Sequence, residues 1–389
     1  MKVDGTNDKY KARLVIQGFR QKEGIYFFDT YAPVARISTI RLLLALASIH
    51  NLLIHQMDVK IGFLNGDLDE EIYMKQPEAD KCVYSKFDTS GKGVMICLYV
   101  DDMLIFGTDL EEVDKTKKFL SSGFNMKDMG EAEILKTFNF ENCSPVSTSI
   151  DPSLKLLPNK GSPVSQLEYS RGIGCLMYAM INTRPDITYI VGSLSRYTSN
   201  PSSHHWQAVS RVFKYLKGTM NYCLTYSGYP FVLEGYLDAN WINNLEDHSS
   251  TNGWVFLLGG GAISWASKKQ TCITNSTMDS EFVALSAAGK EAEWLRNLIY
   301  EIALWPKTIS TISIRCDSDA TLAKAYSQVY NGKSRHLGVR DSMIRELIMT
   351  GVISVEFVRT QLNLADHLPK GLARDLVHKA AVGMGLKST

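Results

Sequence analysis

Residues 94–107 read Val-Met-Ile-Cys-Leu-Tyr-Val-Asp-Asp-Met-Leu-Ile-Phe-Gly, two apolar runs that meet at Asp101 and Asp102. Two β-prone runs separated by a two-residue polar break predict a β-hairpin. Aspartate favours hairpin turns through local hydrogen bonds, so turn geometry alone explains the pair. Both strands are apolar, however, and would hold two mutually repelling carboxylates at a sheet edge, where a divalent cation relieves the repulsion. The two runs therefore predict a β-sheet, and Asp101 and Asp102 can be interpreted either as turn residues or as metal ligands.

A third acid strengthens the metal interpretation. Asp58 closes the largely apolar run 52–57, which has the composition of a strand end. One aspartate at a strand end and an aspartate pair on a neighbouring hairpin are suited to hold two Mg²⁺ ions for displacement at phosphorus.

The composition indicates an ordinary globular chain. It has 389 residues, of which 45% are hydrophobic and 21% charged, so two or three domains are expected. The formal net charge of +1 gives no global argument for nucleic acid, which must be argued from local patches. Seven cysteines without a Cys-x-x-Cys pair favour a reducing compartment and argue against a zinc knuckle. The polar start and the short apolar runs predict a soluble intracellular chain with no membrane partner, in a cytoplasmic particle or the nucleus.

The periodicity of apolar residues predicts an α/β (α+β) chain. A strand is expected at Lys11–Phe19 and a helix at Thr39–Gln56, and the segment 142–160, rich in Ser, Pro, Thr and Asn, is expected to be a connector. The later elements begin with helices at 166–180 and 205–216, a strand at 231–241 and two strands within 251–267, divided by the glycines at 259–261. They continue with a long helix at 279–302, a strand at 311–316, helices at 318–327 and 342–349, a strand at 352–359, and a short helix from about residue 363.

Four more acids stand at predicted element boundaries in the C-terminal part. They are Asp238, Glu281, Asp317 and Asp366. Ser276 with Asp279 three residues later resembles a capping box, which would fix the direction of Glu281, and Asn363 is the expected N-cap of the helix that carries Asp366. Each acid alone is explained as a cap or an exposed charge. Together they suit a carboxylate cage for two Mg²⁺ ions, or Mn²⁺ in their place, on one edge of a sheet.

The motifs around these acids resemble a known family. The stretches 10–15, 30–36, 56–66 and 99–102 resemble the polymerase motifs of copia-type retrotransposon reverse transcriptases. The resemblance implies that Asp58, Asp101 and Asp102 bind the catalytic metals of the palm and that Phe63 screens the incoming sugar. It also implies that Lys11 and Arg13 lie near the nucleotide triphosphate.

The C-terminal motifs resemble the ribonuclease H domain of the same family, and their sequences are most similar to those of plant elements. They are the stretches 259–270, 276–282, 315–318, 330–336 and 363–366. The resemblance implies that Asp238, Glu281, Asp317 and Asp366 are its metal-binding catalytic residues. Residues 167–186 resemble the connection segment. Farther along the chain, Trp206, Tyr215 and Tyr222 are expected to belong to the core rather than to stack on nucleic acid.

The resemblance implies a domain order and a set of partners. It predicts truncated reverse transcriptase fingers and palm at 1–135, a mainly helical connection at 136–227, a ribonuclease H-like domain at 228–375 and a C-terminal tail at 376–389. The implied partners are RNA, DNA and RNA–DNA hybrids, with deoxynucleoside triphosphates only if the palm is intact. Two Mg²⁺ ions are implied for each active site, and the oligomeric state is left open.

Departures from the family pattern lead to different predictions for the polymerase half and the ribonuclease H half. Only 43 residues separate Asp58 from Asp101, the Leu-Tyr-Gly-Leu-Lys-Gln-like motif of the family is absent, and a second junction follows Ile134. Because polymerisation depends on positioning template and nucleotide, we expect an inactive polymerase half. The ribonuclease H half keeps its acids, although Asn240 replaces an aspartate and Gly338 and Ser342 weaken a helix. His367 stands where the family usually has proline or an apolar residue, and Pro369 stands where threonine is usual. The alternative is a catalytically inactive relic, or a globular protein that binds hybrids.

Overall fold

The computed structural model describes most of the chain. The described residues are 35–59, 79–88, 91–99, 102–123, 126–127, 135, 138, 140, 143–151, 156–242, 248–302, 304, 309–327 and 337–388. The predicted strand Lys11–Phe19 and the candidates Phe63 and Asp101 lie outside them.

An antiparallel sheet occupies the N-terminal part. Its elements are α1 (Ile37–His50), β1 (Leu53–Val59), β2 (Val83–Phe87), β3 (Gly93–Tyr99), β4 (Asp102–Gly107), α2 (Leu110–Gly123) and β5 (Met126–Lys127). The strand order is β2-β3-β4-β1-β5. The predicted hairpin is confirmed, since β3 and β4 pair from Val94–Gly107 to Tyr99–Asp102.

The first helix is shorter than its apolar pattern indicates. The prediction Thr39–Gln56 is wrong at its C-terminal end, because α1 stops at His50 and β1 begins at Leu53. Asn51 ends the helix in the left-handed region at φ 52°, a conformation that asparagine tolerates better than most residues.

Helices dominate the middle of the chain. They are α3 (Gln166–Asn182), α4 (Thr188–Leu194) and α5 (Ser203–Gly218), followed by the short strand β6 (Tyr222–Leu224). The described residues of the connector before α3 form no helix or strand. Tyr215 is buried among the apolar residues shared by α3, α4 and α5, and Trp206 packs against that cluster. The placement of these two aromatic residues in the core agrees with the prediction.

The C-terminal part is a mixed sheet with helices on both faces. Its elements are β7 (Glu234–Asn240), β8 (Thr251–Leu258), β9 (Gly261–Lys269), α6 (Thr277–Glu301), β10 (Ile312–Cys316), α7 (Asp319–Tyr326), α8 (Gly338–Met349), β11 (Ile353–Phe357), α9 (Arg374–Gly383) and β12 (Leu386–Ser388). The strand order is β11-β10-β7-β8-β9. Strands β7, β8 and β9 are antiparallel, whereas β10 is parallel to both β7 and β11. The central strand β7 therefore pairs with β10 on one side and with β8 on the other.

Three details of the C-terminal part differ from prediction. The helix expected at Asn363 is absent from the described residues, where Asp366 lies in turns between residues 364 and 369. Gly338 is the first residue of α8 rather than an interior one, so the interior penalty for glycine does not apply. The expected tail is instead the end of α9 and the strand β12, which pairs with β6.

One apolar core joins the two sheets. It contains Leu43 and Leu46 of α1, Phe106 of the N-terminal sheet, Phe256 of β8 and Phe282 of α6. Met384, which follows α9, packs with Ala365 and Leu368 of the Asp366 turns on the other face of the C-terminal sheet. None of the helices in the described part of the chain has the length and apolar content to cross a bilayer.

Candidate metal centre

Asp238 is the most deeply buried of the candidate acids whose side chains the structure describes. It lies on β7, directly opposite Gly253 on β8, and 1% of its surface is exposed. A Cβ at Gly253 would lie 2.6 Å from both Leu368 Cβ and Pro369 Cδ. The glycine thus lets the turns that carry Asp366 lie directly on β8, next to Asp238.

Glu281 is positioned by the start of α6. The predicted cap is confirmed, because Ser276 Oγ accepts a hydrogen bond from the Asp279 amide at 3.1 Å. Glu281 Oε1 accepts a hydrogen bond from the Ala239 amide at 3.1 Å, which ties the carboxylate to the end of β7. Its second oxygen, Oε2, is buried and has no hydrogen-bond partner among the described residues.

Asp317 follows β10 and approaches Glu281. Ligand atoms of Glu281, Cys316 and Asp317 all lie within 4.8 Å of one another. The thiol of Cys316 is a poor partner for a hard cation, because burial and the nearby Glu281 raise its pKa and keep it protonated. At this point the two carboxylates, rather than the thiol, are therefore the groups that could hold a hard cation.

Asp366 is held in place by Asn363 and by a lysine. Asn363 Nδ2 donates to the Leu237 carbonyl at 2.8 Å, and its Oδ1 accepts from the Ala365 amide at 3.1 Å. Lys370 Nζ lies 2.7 Å from Asp366 Oδ1 and 2.8 Å from Asp238 Oδ2. An ammonium group therefore lies between the two carboxylates. Sequence reasoning missed Lys370, although its position four residues after Asp366 is a signal for such a pair.

The electrostatics of this cluster indicate a deficit of positive charge. Burial raises the pKa of Asp238 to about 7 against the opposing effect of Lys370, and Asp317 and Asp366 add to the rise. Burial and Asp238 raise the pKa of Glu281 well above its usual range. The carboxylates Asp238 and Asp366 raise the pKa of Lys370 although burial lowers it.

The structure brings together all four acids predicted in the C-terminal part. Four carboxylates share one ammonium, and two buried carboxylate oxygens, Asp238 Oδ2 and Glu281 Oε2, accept no hydrogen bond of good geometry from the described residues, although Lys370 Nζ lies 2.8 Å from the first. Oxygen ligands of this kind are those that Mg²⁺ and Mn²⁺ prefer. The residues present therefore fit a divalent metal site.

The acids of the N-terminal sheet are only partly described. Asp58 lies opposite Asp102 in the pairing of β1 with β4. Asp102 is half-buried, and its Oδ1 accepts a hydrogen bond from Gln56 Nε2 at 3.1 Å. The side chain of Asp58 and all of Asp101, Lys11, Arg13 and Phe63 lie outside the described part of the structure.

Comparison with known proteins agrees with the motif analysis. The sequence profile of the family described as reverse transcriptase (RNA-dependent DNA polymerase) matches residues 1–81 and 78–147. These two pieces meet at residues 78–81, within the short separation between Asp58 and Asp101. Reverse transcriptase and ribonuclease H families generally use divalent metal ions.

Plant transposon proteins match nearly the whole chain. The retrovirus-related Pol polyprotein from transposon TNT 1-94 of Nicotiana tabacum is 35% identical over 457 residues, covering 97% of this chain and 34% of the relative. The corresponding protein from transposon RE1 of Arabidopsis thaliana is 30% identical and covers 98% of this chain and 31% of the relative. The chain thus spans about a third of the length of these relatives. The tobacco alignment is longer than the 389 residues of this chain, so the relative has segments that are missing here.

Among solved structures, RNase H1 from the halophilic archaeon Halobacterium salinarum NRC-1 is 20% identical, with a TM-score of 0.27, over 35% of this chain and 92% of that one. The plant relatives and the reverse transcriptase profile, rather than this distant structural match, establish the family. The chain belongs to the copia-type retrotransposon Pol polyprotein family, from which it differs by internal truncation.

Proposed function

We propose that residues 228–375 form a ribonuclease H-like domain that cleaves the RNA strand of RNA–DNA hybrids with the help of divalent metal ions. The observation that carries the proposal is the cluster of four acids, in which Asp238 and Glu281 are buried and Asp317 and Asp366 are half-buried. In the same proposal, residues 1–135 are truncated reverse transcriptase fingers and palm and residues 136–227 are the connection.

The four acids would hold two Mg²⁺ ions, or Mn²⁺ in their place. When bound, the ions supply an activated water and stabilise the leaving 3′-oxygen of the cut strand. Ser276 and the Ala239 amide fix the position of Glu281, and Asn363 fixes the turn that carries Asp366. Before metal ions bind, the ammonium of Lys370 lies between Asp238 and Asp366 and offsets the repulsion between their carboxylates.

The experiment compares cleavage by matched carboxylate variants. A labelled RNA–DNA hybrid is incubated with Mg²⁺ and the wild-type chain, Asp238→Asn or Asp375→Asn. Asp375 is exposed on α9, so its replacement makes the same chemical change outside the cluster. We expect the wild type and Asp375→Asn to cut the RNA strand and Asp238→Asn to lose at least about 100-fold in rate. Equal cleavage by all three proteins, or none by any of them, would contradict the proposal.

A second candidate is a protein that binds hybrids without cutting them. It is favoured by Lys370, because an ion pair with Asp238 and Asp366 is also a way to stabilise the fold without metal. This candidate predicts salt-dependent binding of hybrid and no cleavage by the wild type.

We further propose that the polymerase half is inactive, although Asp58, Asp101 and Asp102 are assigned to its metals and Lys11, Arg13 and Phe63 to its nucleotide. The support is the short separation of 43 residues between Asp58 and Asp101, which leaves out a segment that the family places beneath template and nucleotide. Template-dependent extension of a primer in the presence of Mg²⁺ and deoxynucleotides would overturn this part of the proposal.

A further inference from the structure

A buried ion pair lies in the helical middle of the chain, at the 3₁₀ turn Pro185–Ile187 between α3 and α4. Arg184 donates to Asp186 twice, from Nε at 2.9 Å and from Nη2 at 2.7 Å. The side chain of Asp186 is 0% exposed and that of Arg184 is 8% exposed. Burying two charges costs free energy that the pair itself rarely returns, so stability alone does not explain why the pair is there.

The ion pair is fixed by residues at the end of α5. Tyr215 Oη donates to Asp186 Oδ2 at 2.7 Å. Arg184 Nη2 donates to Thr219 Oγ1 at 2.7 Å, and its Nη1 donates to the Thr219 carbonyl at 3.2 Å. Burial opposes the charge on Asp186, but Arg184 and Tyr215 outweigh it and lower the pKa of this carboxyl. Asp186 is therefore a charged group held rigidly in the interior.

His367, the residue after the candidate ligand Asp366, lies close to this ion pair. Its ring is 2% exposed, and Nδ1 lies 3.0 Å from the Leu364 carbonyl in the same turns. Burial lowers the pKa of His367, whereas Asp186 and the carbonyls of Leu364 and Pro185 act in the opposite direction. Only nearby groups act on a buried ring in this way, so the ring lies between the Asp366 turns and the 3₁₀ turn.

The Asp366 turns contact the middle of the chain at a second point. A Cβ at Gly371 would lie 3.3 Å from Tyr189 Cε1 on α4 and 3.4 Å from Ile150 Cδ1. Helix α9, which follows the turns, also packs against the 3₁₀ turn Pro185–Ile187. On the other side, the turns lie directly on Gly253 of β8. They are therefore enclosed between β8 and the helical middle of the chain.

Asp366 has no helix or strand of its own to fix its direction, so its neighbours must do so. Asn363 holds the turns on β7, and His367 is the buried polar contact on the opposite side. The family usually has proline or an apolar residue at the position of His367, so this contact belongs to the present chain. We infer that the Arg184–Asp186 ion pair positions Asp366 for a divalent metal ion through the ring of His367.

The inference rests on the proposed function for the role of Asp366 as a metal ligand. Arg184, Asp186 and His367 are positioning residues, since they act on the metal only through the carboxylate of Asp366. Residues that orient a metal ligand in this way commonly change metal affinity about 10–100-fold when they are replaced.

The test measures Mg²⁺ binding by the whole chain without nucleic acid, by isothermal titration calorimetry. Asp186→Asn keeps the shape of the side chain and removes its charge, so we expect about tenfold weaker Mg²⁺ binding. Asp341→Asn is the matched control. It removes the charge from another buried ion pair, with Arg345 at 3.0 Å, on α8, and should bind Mg²⁺ like the wild type.

A double-mutant cycle separates positioning from a general loss of stability. His367→Leu supplies an apolar side chain of the kind usual in the family and removes the ring. In this background Asp186→Asn should weaken Mg²⁺ binding no further, whereas it should lower the denaturant midpoint equally in both backgrounds, because Arg184 loses its partner in each. A merely structural effect of Asp186→Asn would reduce Mg²⁺ affinity by the same factor with and without His367.

Tyr215→Phe provides a milder variant in case Asp186→Asn does not fold. It removes one hydrogen bond to Asp186 and should weaken Mg²⁺ binding about threefold, again only when His367 is present. Wild-type affinity in both variants, equal weakening by Asp341→Asn, or equal effects in the two backgrounds would overturn the inference.

Cleavage assays with the same proteins separate this inference from the proposed nuclease. Coupled loss of Mg²⁺ affinity in a chain that cuts no hybrid supports the positioning role and contradicts only the nuclease. Cleavage of hybrid by the wild type, together with unchanged Mg²⁺ affinity in Asp186→Asn and Tyr215→Phe, overturns only the positioning role. A wild-type chain that binds no Mg²⁺ would overturn both.

Discussion

At the scale of single residues, Lys370 determines how the buried acids coexist. Its ammonium is within 2.8 Å of Asp238 and Asp366, and Asp238 nevertheless has its pKa raised to about 7. Burial therefore outweighs the favourable ion pair, as is common for charges removed from water. A divalent ion would supply more positive charge than the lysine, but it would have to enter a space that the ammonium already fills.

Replacing Lys370 by methionine should strengthen metal binding. Methionine keeps much of the length of the side chain and removes the positive charge that repels a cation, so we expect Mg²⁺ to bind at least about tenfold more tightly. Isothermal titration calorimetry without nucleic acid measures the change. Lys379→Met, on the exposed side of α9, is the matched control and should bind Mg²⁺ like the wild type. Unchanged or weaker binding by Lys370→Met would show that the lysine does not compete with metal.

His205 predicts a pH dependence of stability far from the acids. Its Nδ1 accepts a hydrogen bond from the Ser202 amide at 3.0 Å, and its ring stacks on Tyr197 at 4.0 Å. Burial lowers the pKa of His205 below its usual 6.5. Protonation is thus harder in the folded chain, so the contribution of His205 is complete above pH 6.5 and is lost as the pH falls from 6.5 through the folded pKa.

The variant His205→Gln should reduce this pH dependence. Glutamine can complete the same capping box but does not titrate, so the fall in melting temperature between about pH 7.5 and 5.5 should be smaller than in the wild type. Thermal unfolding followed by circular dichroism measures it. An identical fall in both proteins would mean that other groups account for the acid sensitivity, for example His50, whose pKa burial also lowers.

At the scale of elements, Gly253 links β8 to the turns that carry Asp366. Gly253→Ala would place a methyl group 2.6 Å from Leu368 Cβ and Pro369 Cδ, so the turns must move. We expect a loss of about 1–3 kcal/mol in unfolding free energy and weaker Mg²⁺ binding, because Asp366 moves with the turns. Denaturant unfolding and calorimetry measure the two effects.

Gly174→Ala is the control for that substitution. A Cβ at Gly174 on α3 has no described atom within 4 Å, so alanine should raise stability by about 0.5–1 kcal/mol through its helix propensity. Equal effects of the two substitutions would contradict the role given to Gly253.

Periodicity predicts the elements better than the contacts between them. The hairpin at 94–107 and the long helix α6 are predicted correctly because the apolar pattern of the first fits only strands and that of the second fits only a helix. The boundary between α1 and β1 was missed because the apolar residues at 52–57 fit either period, and Asn51 was the available stop signal. The helix expected at Asn363 fails for a different reason. Asn363 uses both polar atoms of its side chain to hold a turn on β7, a tertiary contact that no local pattern contains.

The candidate site divides in the same way. Motifs at element boundaries predict the four acids but not Lys370, because the role of this lysine depends on the two carboxylates beside it in the fold.

At the scale of the whole molecule, the two sheets share one core despite the internal truncation. Helix α1 lies against β9, where Arg41 stacks on Trp265 at 3.6 Å, and Trp294 of α6 donates to the Ala79 carbonyl at 3.1 Å. Burial lowers the pKa of Arg41 to about 10, so this guanidinium is held in an environment largely removed from water. These contacts predict that the N-terminal part stabilises the C-terminal sheet.

Tryptophan fluorescence tests this coupling directly, because every tryptophan lies in the second half of the chain, at Trp206, Trp241, Trp254, Trp265, Trp294 and Trp305. Leu46 of α1 is fully buried in the shared core, and Leu46→Ala should cost about 2–5 kcal/mol. We expect the transition seen by tryptophan to move to a lower denaturant concentration. Ile105→Ala is equally buried but belongs to a separate cluster of the N-terminal sheet, so it should move that transition less. If Leu46→Ala leaves the tryptophan transition in place, the C-terminal sheet folds independently and the shared core adds nothing to its stability.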